Sequence, residues 1–116
     1  MMNLNLSFAL LQTVAAANLD GFTVDKNTFE SITNGFAVAV AETQNSFDQD
    51  GAKNVIKYAY LHPEVQALGG WYNSENGKFY YDAVIIVNDL ETAKRLGREN
   101  EQIAIFNLST LEEIRL

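Results

Sequence analysis

Lys78-Phe79-Tyr80-Tyr81-Asp82-Ala83-Val84-Ile85-Ile86-Val87-Asn88 is the stretch on which the fold turns. Near its end both alternating sets are apolar, with Val84 and Ile86 on one face and Ile85 and Val87 on the other. A strand with one wet face alternates apolar with polar, so this one reads as covered on both sides and central in its sheet. Upstream, Asn76-Gly77 offers the positive-φ residues of a tight turn, and Val65 to Tyr72 is a second β-rich run. The two runs form a hairpin. Downstream, Asn88 or Asp89 caps a helix whose Leu90, Ala93 and Leu96 face inward. Glu91 stands four residues before Arg95, a helix-supporting pair, and Asn100 is the expected left-handed exit. Ile103 to Leu108 is a further strand, and Glu113 to Leu116 adds a short one.

On the amino-terminal side, Asn34-Gly35 marks a turn before a strand over Phe36 to Glu42. That strand sets Phe36, Val38 and Val40 on one face and Ala37, Ala39 and Ala41 on the other. Ser46-x-x-Gln49 reads as a capping box for a helix with an Ala52, Val55, Ile56, Ala59 stripe, stopped by Pro63. From residue 36 onward the order is therefore β-α-β-β-α-β. Two right-handed crossovers around a hairpin give an α+β, ferredoxin-like sandwich with the first and third strands central. Leu4, Phe8, Leu11 and Ala15 recur on one face of an additional N-terminal helix, expected to dock on the Ala37-Ala39-Ala41 face. Phe22-Thr23-Val24 is a short β extension. The whole, 1–116, reads as a single domain: an extension over 1–35 and the β-α-β-β-α-β core over 36–116. Val84, Ile86, Phe36, Val38, Val55 and Ile56 are expected to form one core between sheet and helices.

Composition narrows the chemistry. The chain has no cysteine, which removes disulfides, thiolate zinc sites and cysteine nucleophiles. Its net charge is −7. Up to Ala52, six acids stand against Lys26 alone; from Lys53 on, nine acids meet seven bases. Such a surface repels phosphates and makes direct nucleic-acid binding unlikely, while it suits a protein partner with a basic surface or keeps the domain soluble. The Phe8 to Ala17 stretch has the apolar character of a signal peptide, but the first basic residue is Lys26, so a positive leading region is missing. The reading is a bacterial cytoplasmic protein with no membrane association, in which the sequons at Asn5 and Asn107 are coincidental.

Few residues have a catalytic cast. His62, the single histidine, lies between a helix end and Pro63 with no nucleophile elbow nearby, which suits a helix C-terminal cation better than a triad. Asp48-Gln49-Asp50-Gly51 lacks the remainder of a calcium loop and fits a helix amino terminus. Gly69-Gly70 has neither the Lys-Ser/Thr of a phosphate loop nor a third glycine, so a bulge or a close backbone contact is expected. Trp71 reads as core or hairpin packing, or as an interface anchor. Asp82 shares a face with Tyr80, Val84 and Ile86 and is expected to find a cation or backbone donors. Phe79 and Tyr81 share a face on the third core strand, where RNA-recognition motifs carry stacking aromatics. No metal, cofactor or catalytic residue is expected.

Gly69-Gly70-Trp71, the Asn76-Gly77 turn, Tyr80-x-Asp82 and Asn100-x-Gln102-x-Ala104-Ile105 together resemble a small module of the large polyvalent proteins of bacteriophages and other mobile elements. The resemblance covers about residues 69–116 and implies an origin in a phage, prophage or conjugative element. Small acidic proteins of such elements often inhibit host defence, by analogy of class and charge. The expectation is thus a non-enzymatic protein-binding domain, in its sharpest form an acidic inhibitor of a host defence nuclease of the anti-CRISPR or anti-restriction type. Partner contacts are expected at Glu42, Gln44, Asn45, Asp48 and Asp50, around the loop before the first core helix, and at Trp71. An RNA- or small-ligand-binding ferredoxin-like domain is the alternative.

Overall fold

The computed structural model describes residues 4–116; the first three residues of the expected domain lie outside the described residues. The described chain runs α1 (Leu4–Ala17), β1 (Phe22–Asp25), β2 (Phe36–Ala39), a 3-10 turn (Ala41–Thr43), β3 (Ser46–Phe47), α2 (Asp48–Leu61), β4 (Ala67–Asn73), β5 (Lys78–Val87), α3 (Leu90–Glu99), β6 (Ala104–Asn107) and β7 (Glu112–Arg115). It is a mixed α+β architecture. Among the described residues the strands form one seven-stranded antiparallel sheet in the order β1-β4-β5-β2-β6-β7, with β3 also on β5.

β5 has partners on both edges and is central in the sheet as expected, but helices pack on only one of its two apolar faces. β4 pairs along Lys78 to Val84 on one side; β3 and then β2 pair on the other, from Tyr80 to Val87. Directly opposed residues share a face. Phe36 and Val38 therefore lie with Val87 and Ile85, and Ala37 and Ala39 with Ile86 and Val84.

The first of these faces carries the helices. Leu11 and Ala15 of α1 and Ala52, Val55, Ile56 and Ala59 of α2 pack with Val24, Leu68, Tyr81 and Ala83 of the sheet. A smaller cluster joins Ala93 of α3 to Val38 and Ile105, with Phe36, Val87 and Leu96 around it. Two expectations fail here. Val84 and Ile86 do not join Phe36, Val38, Val55 and Ile56, and these four do not form one core: Ile85 packs with Val55 and Ile56, and Val87 with Phe36 and Val38. Nor does α1 dock on the alanine face. Its buried residues Ser7, Leu11 and Ala15 form a narrow stripe that lets it lie close to α2. Burial against Leu68 and Val24 removes more apolar area from water than a row of methyl groups could. Ala37 and Ala39 stay half-buried.

The expected strand over 36–42 stops at Ala39, and the 3-10 turn lifts the chain off β5 before β3 returns to it. Thr43, fully buried, fills the gap: its hydroxyl donates to the Val40 carbonyl (3.2 Å) and accepts the Ala83 N–H (3.1 Å). Thr43→Val keeps the shape but leaves that N–H unpaired in the interior. We expect a loss of about 1–3 kcal/mol, read as a lower urea midpoint.

The helix ends also differ in detail. The capping box does not form, because Ser46 lies in β3 and its hydroxyl accepts from Asn54 Nδ2 at 2.8 Å. Asp89 does cap α3, accepting from the N–H (2.8 Å) and hydroxyl (2.7 Å) of Thr92, bonds that hold its carboxyl below the ordinary range. Arg95 pairs with Glu99 at 3.3 Å rather than with Glu91. The left-handed residue is Glu101 (φ 56°), since Asn100 uses its side chain to bond the Leu96 carbonyl and the Ala41 N–H. In the hairpin only Gly77, not Asn76, has positive φ (71°).

Candidate functional site

With all three helices on one side, the other face of the sheet has no helix over it. Along β4 and β5 it presents Gly69, Trp71, Tyr80 and Asp82, and beside them Ala37 and Ala39 of β2. The register sets Trp71 directly across from Tyr80, and β3 sets Phe47 across from Tyr80 on the other edge. Cross-strand aromatic pairs attract, and these form a row. Trp71 and Tyr80 stack at 5.5 Å with 18° between planes, and Phe47 meets Tyr80 at 5.8 Å. Trp71 is 45% exposed and Phe47 37%, far too open for core residues. The Lys78 ammonium sits 4.0 Å from the centre of the Phe47 ring. Asn76 Nδ2 donates to the Tyr80 hydroxyl at 2.8 Å, which steadies the middle of the row.

Asp82 lies two residues along from Tyr80, with Gly69 directly opposite it. Glycine contributes no side chain, and the place a Cβ would take there is bordered by Val84 Cγ2 at 3.2 Å and the Phe22 carbonyl oxygen at 3.4 Å. Burial pushes its carboxyl up from 3.8 to about 6. The cation or backbone donor expected for it is missing: among the described residues no hydrogen bond or ion pair reaches the Asp82 carboxylate. Among the described residues no buried side-chain oxygen is left unbonded, so this one must reach solvent.

The glycine pair does not make a bulge, since pairing runs unbroken from Ala67 to Asn73. Gly70 faces the helices, where a Cβ would come within 2.8 Å of the Phe22 ring and 2.9 Å of the Phe79 ring. That is the close contact, made by aromatic rings.

The expected contact residues divide. Gln44, Asn45, Asp48 and Asp50 line one open cavity of about 650 Å³, with Ser46, Phe47 and Asn54 also in its wall. Asn45 (φ 61°) and Asp48 (φ 55°) are both left-handed, which turns this loop sharply into α2. Asp48 has a structural task as well: its carboxylate accepts the Phe79 N–H at 3.1 Å, continuing the β3 pairing past Phe47. Through β3 the loop adjoins the Trp71 row. Glu42 is set apart, because its carboxylate acts on Tyr58, whose pKa is raised first by burial and then by Glu42.

His62 stacks on Tyr58 at 3.7 Å and its Nδ1 lies 2.8 Å from the Tyr58 carbonyl oxygen, a helix-end role. Phe79 and Tyr81 do share a face, 5.0 Å apart, but it is the helix-covered one. Tyr81 is 5% exposed, so this pair offers no stacking platform. Tyr80, Phe47 and Lys78 escaped the sequence reading. Tyr80 was within reach of it, since the hairpin pairs it with Trp71; Phe47 depends on a two-residue strand that no periodicity reveals.

Among the described residues no group of three metal-ligating side chains converges, and no helix is long and apolar enough to cross a membrane. No family model, curated protein or solved structure matches this chain.

Proposed function

We propose that this is a non-enzymatic protein-binding domain that meets a basic partner with its uncovered sheet face and the adjoining 44–50 loop. The row Trp71-Tyr80-Phe47 carries this reading. Large, part-exposed rings, held rigid by one another, are the side chains that most often dominate interface energies. The β4-β5-β2-β6 order, with α2 and α3 on one side, supports a ferredoxin-like core extended by α1, β1 and β7. The net charge of −7 and the mobile-element resemblance support a phage or mobile-element protein in a bacterial cytoplasm, acting on a host defence nuclease.

A row of rings on an open sheet is also a surface on which single-stranded RNA stacks. Asp48, Asp50 and Asp82 around it oppose the phosphates. The test is titration of candidate nucleases and of a homopolymeric RNA with the native chain, Trp71→Ala and, as a distant control, Leu61→Ala. Trp71→Ala should weaken nuclease binding about 30-fold or more, the effect of losing an anchor worth about 2 kcal/mol. Leu61→Ala should bind as the native chain does. Asp50→Lys should slow association and lessen its salt dependence; Asp48 is unsuitable for reversal because it bonds β5. Binding insensitive to Trp71, or tight binding of the RNA alone, would overturn the reading.

A further inference from the structure

We propose that Asp82, with the Trp71 and Tyr80 rings beside it, seats one arginine side chain of the protein partner. The inference rests on the protein-binding reading and names the partner's chemistry at its centre.

The Asp82 carboxylate is part-buried and has no protein partner among the described residues, so it relies on solvent alone unless something binds it. Its carboxyl is held near 6, so it is mostly ionised at neutral pH. Among the described residues no cation lies against it. Lys78 is four residues along the strand, roughly 13 Å away, and rests on Phe47. On the same face the register places Asp25 of β1, a further acid, while β4 and β2 present only uncharged residues.

Gly69, directly across from Asp82, adds no side chain of its own to this face, and Val84 Cγ2 and Thr23 Oγ1 border that position, so a guanidinium would approach Asp82 from the Tyr80 and Trp71 side. Trp71 is the diagonal neighbour of Asp82 across the strands, about 7–8 Å off, a span that a guanidinium bridges. Trp71 and Tyr80 are nearly parallel, a surface that suits a planar cation better than a compact ammonium. The Lys78–Phe47 contact shows a cation already resting on a ring of this face. The net charge of −7 favours approach of a basic segment.

Trp71 is the chain's single tryptophan, so its fluorescence reports on this place directly. The probe is an acetylated Gly-Arg-Gly peptide amide, compared with its lysine and neutral citrulline counterparts on the full chain. The arginine peptide should change Trp71 emission saturably in the millimolar range. Citrulline should bind at least ten-fold more weakly, and lysine should fall between them. Asp82→Asn should abolish the preference of arginine over citrulline, whereas Asp82→Glu, which keeps the charge, should retain it. Equal response to arginine and citrulline, or a preference that survives Asp82→Asn, would overturn the seat. Should the seat fail while nuclease binding still depends on Trp71, the protein-binding reading stands alone. Should arginine bind here while no protein partner depends on Trp71, the reading fails and the seat survives it.

Discussion

Gly51→Ala should destabilise the fold by roughly 3 kcal/mol or more, although alanine is the better helix former. At an exposed helical position the change would stabilise by about 0.4–1 kcal/mol, through a less disordered unfolded chain. Gly51 is not such a position. A Cβ there would lie 2.3 Å from the Ser46 carbonyl carbon and 2.8 Å from its oxygen. Those atoms belong to the backbone of β3, which cannot swing aside as a flexible side chain can. Either α2 lifts, exposing Ala52, Val55 and Ile56, or β3 leaves β5 and takes Phe47 from the aromatic row. Urea unfolding followed by circular dichroism measures the loss, and Trp71 fluorescence reports whether the row changes too. A raised midpoint would show that α2 does not rest on β3.

Asp82→Asn should stabilise the protein above pH 6 and have little effect near pH 3.5. The folded carboxyl, at about 6, holds its proton more tightly than the ordinary 3.8 of an unfolded chain. Between those values the folded state carries more protons than the unfolded one. Stability therefore falls as pH rises through that window, and stays down above it. Two pH units correspond to about 3 kcal/mol, a ceiling because water reaches the carboxylate; roughly 1–3 kcal/mol is expected at pH 8. Asparagine does not ionise and escapes the loss. Thermal or urea midpoints of both proteins at pH 3.5 and pH 8 give the comparison. Tyr80, Lys78 and Asp25 share the face, and all three are retained in both proteins. A less stable variant at pH 8 would mean that the carboxylate has a partner in the folded chain. A gain in stability beside a loss of arginine binding would show that this residue is kept at a cost to the fold.

Local signals in the sequence were enough for the helices and the longer strands. Ala52, Val55, Ile56 and Ala59 face the core as their spacing demands, Asp89 caps α3, and the doubly apolar end of β5 is central in the sheet. Each follows from near neighbours along the chain, where backbone geometry alone relates spacing to direction. Part of the site was legible in the same way: Trp71 and the 44–50 loop were singled out from residue type and placement.

Tertiary structure decided which face the helices cover. Alternation separates Val84 and Ile86 from Ile85 and Val87, but it does not say which set the helices cover. That choice depends on the summed apolar area of distant segments, and α1 joined α2 over Leu68 and Val24 rather than the alanines of β2. The same choice turned Phe79 and Tyr81 toward the helices and Tyr80 and Trp71 away from them. The two-residue strand β3 likewise exists only because β5 offers an edge, with Thr43 and Asp48 side chains bonding the strand on either side of it. Residue types and local periodicity thus determined what each segment is; competition for buried area and for backbone hydrogen bonds determined which residues met on the uncovered face.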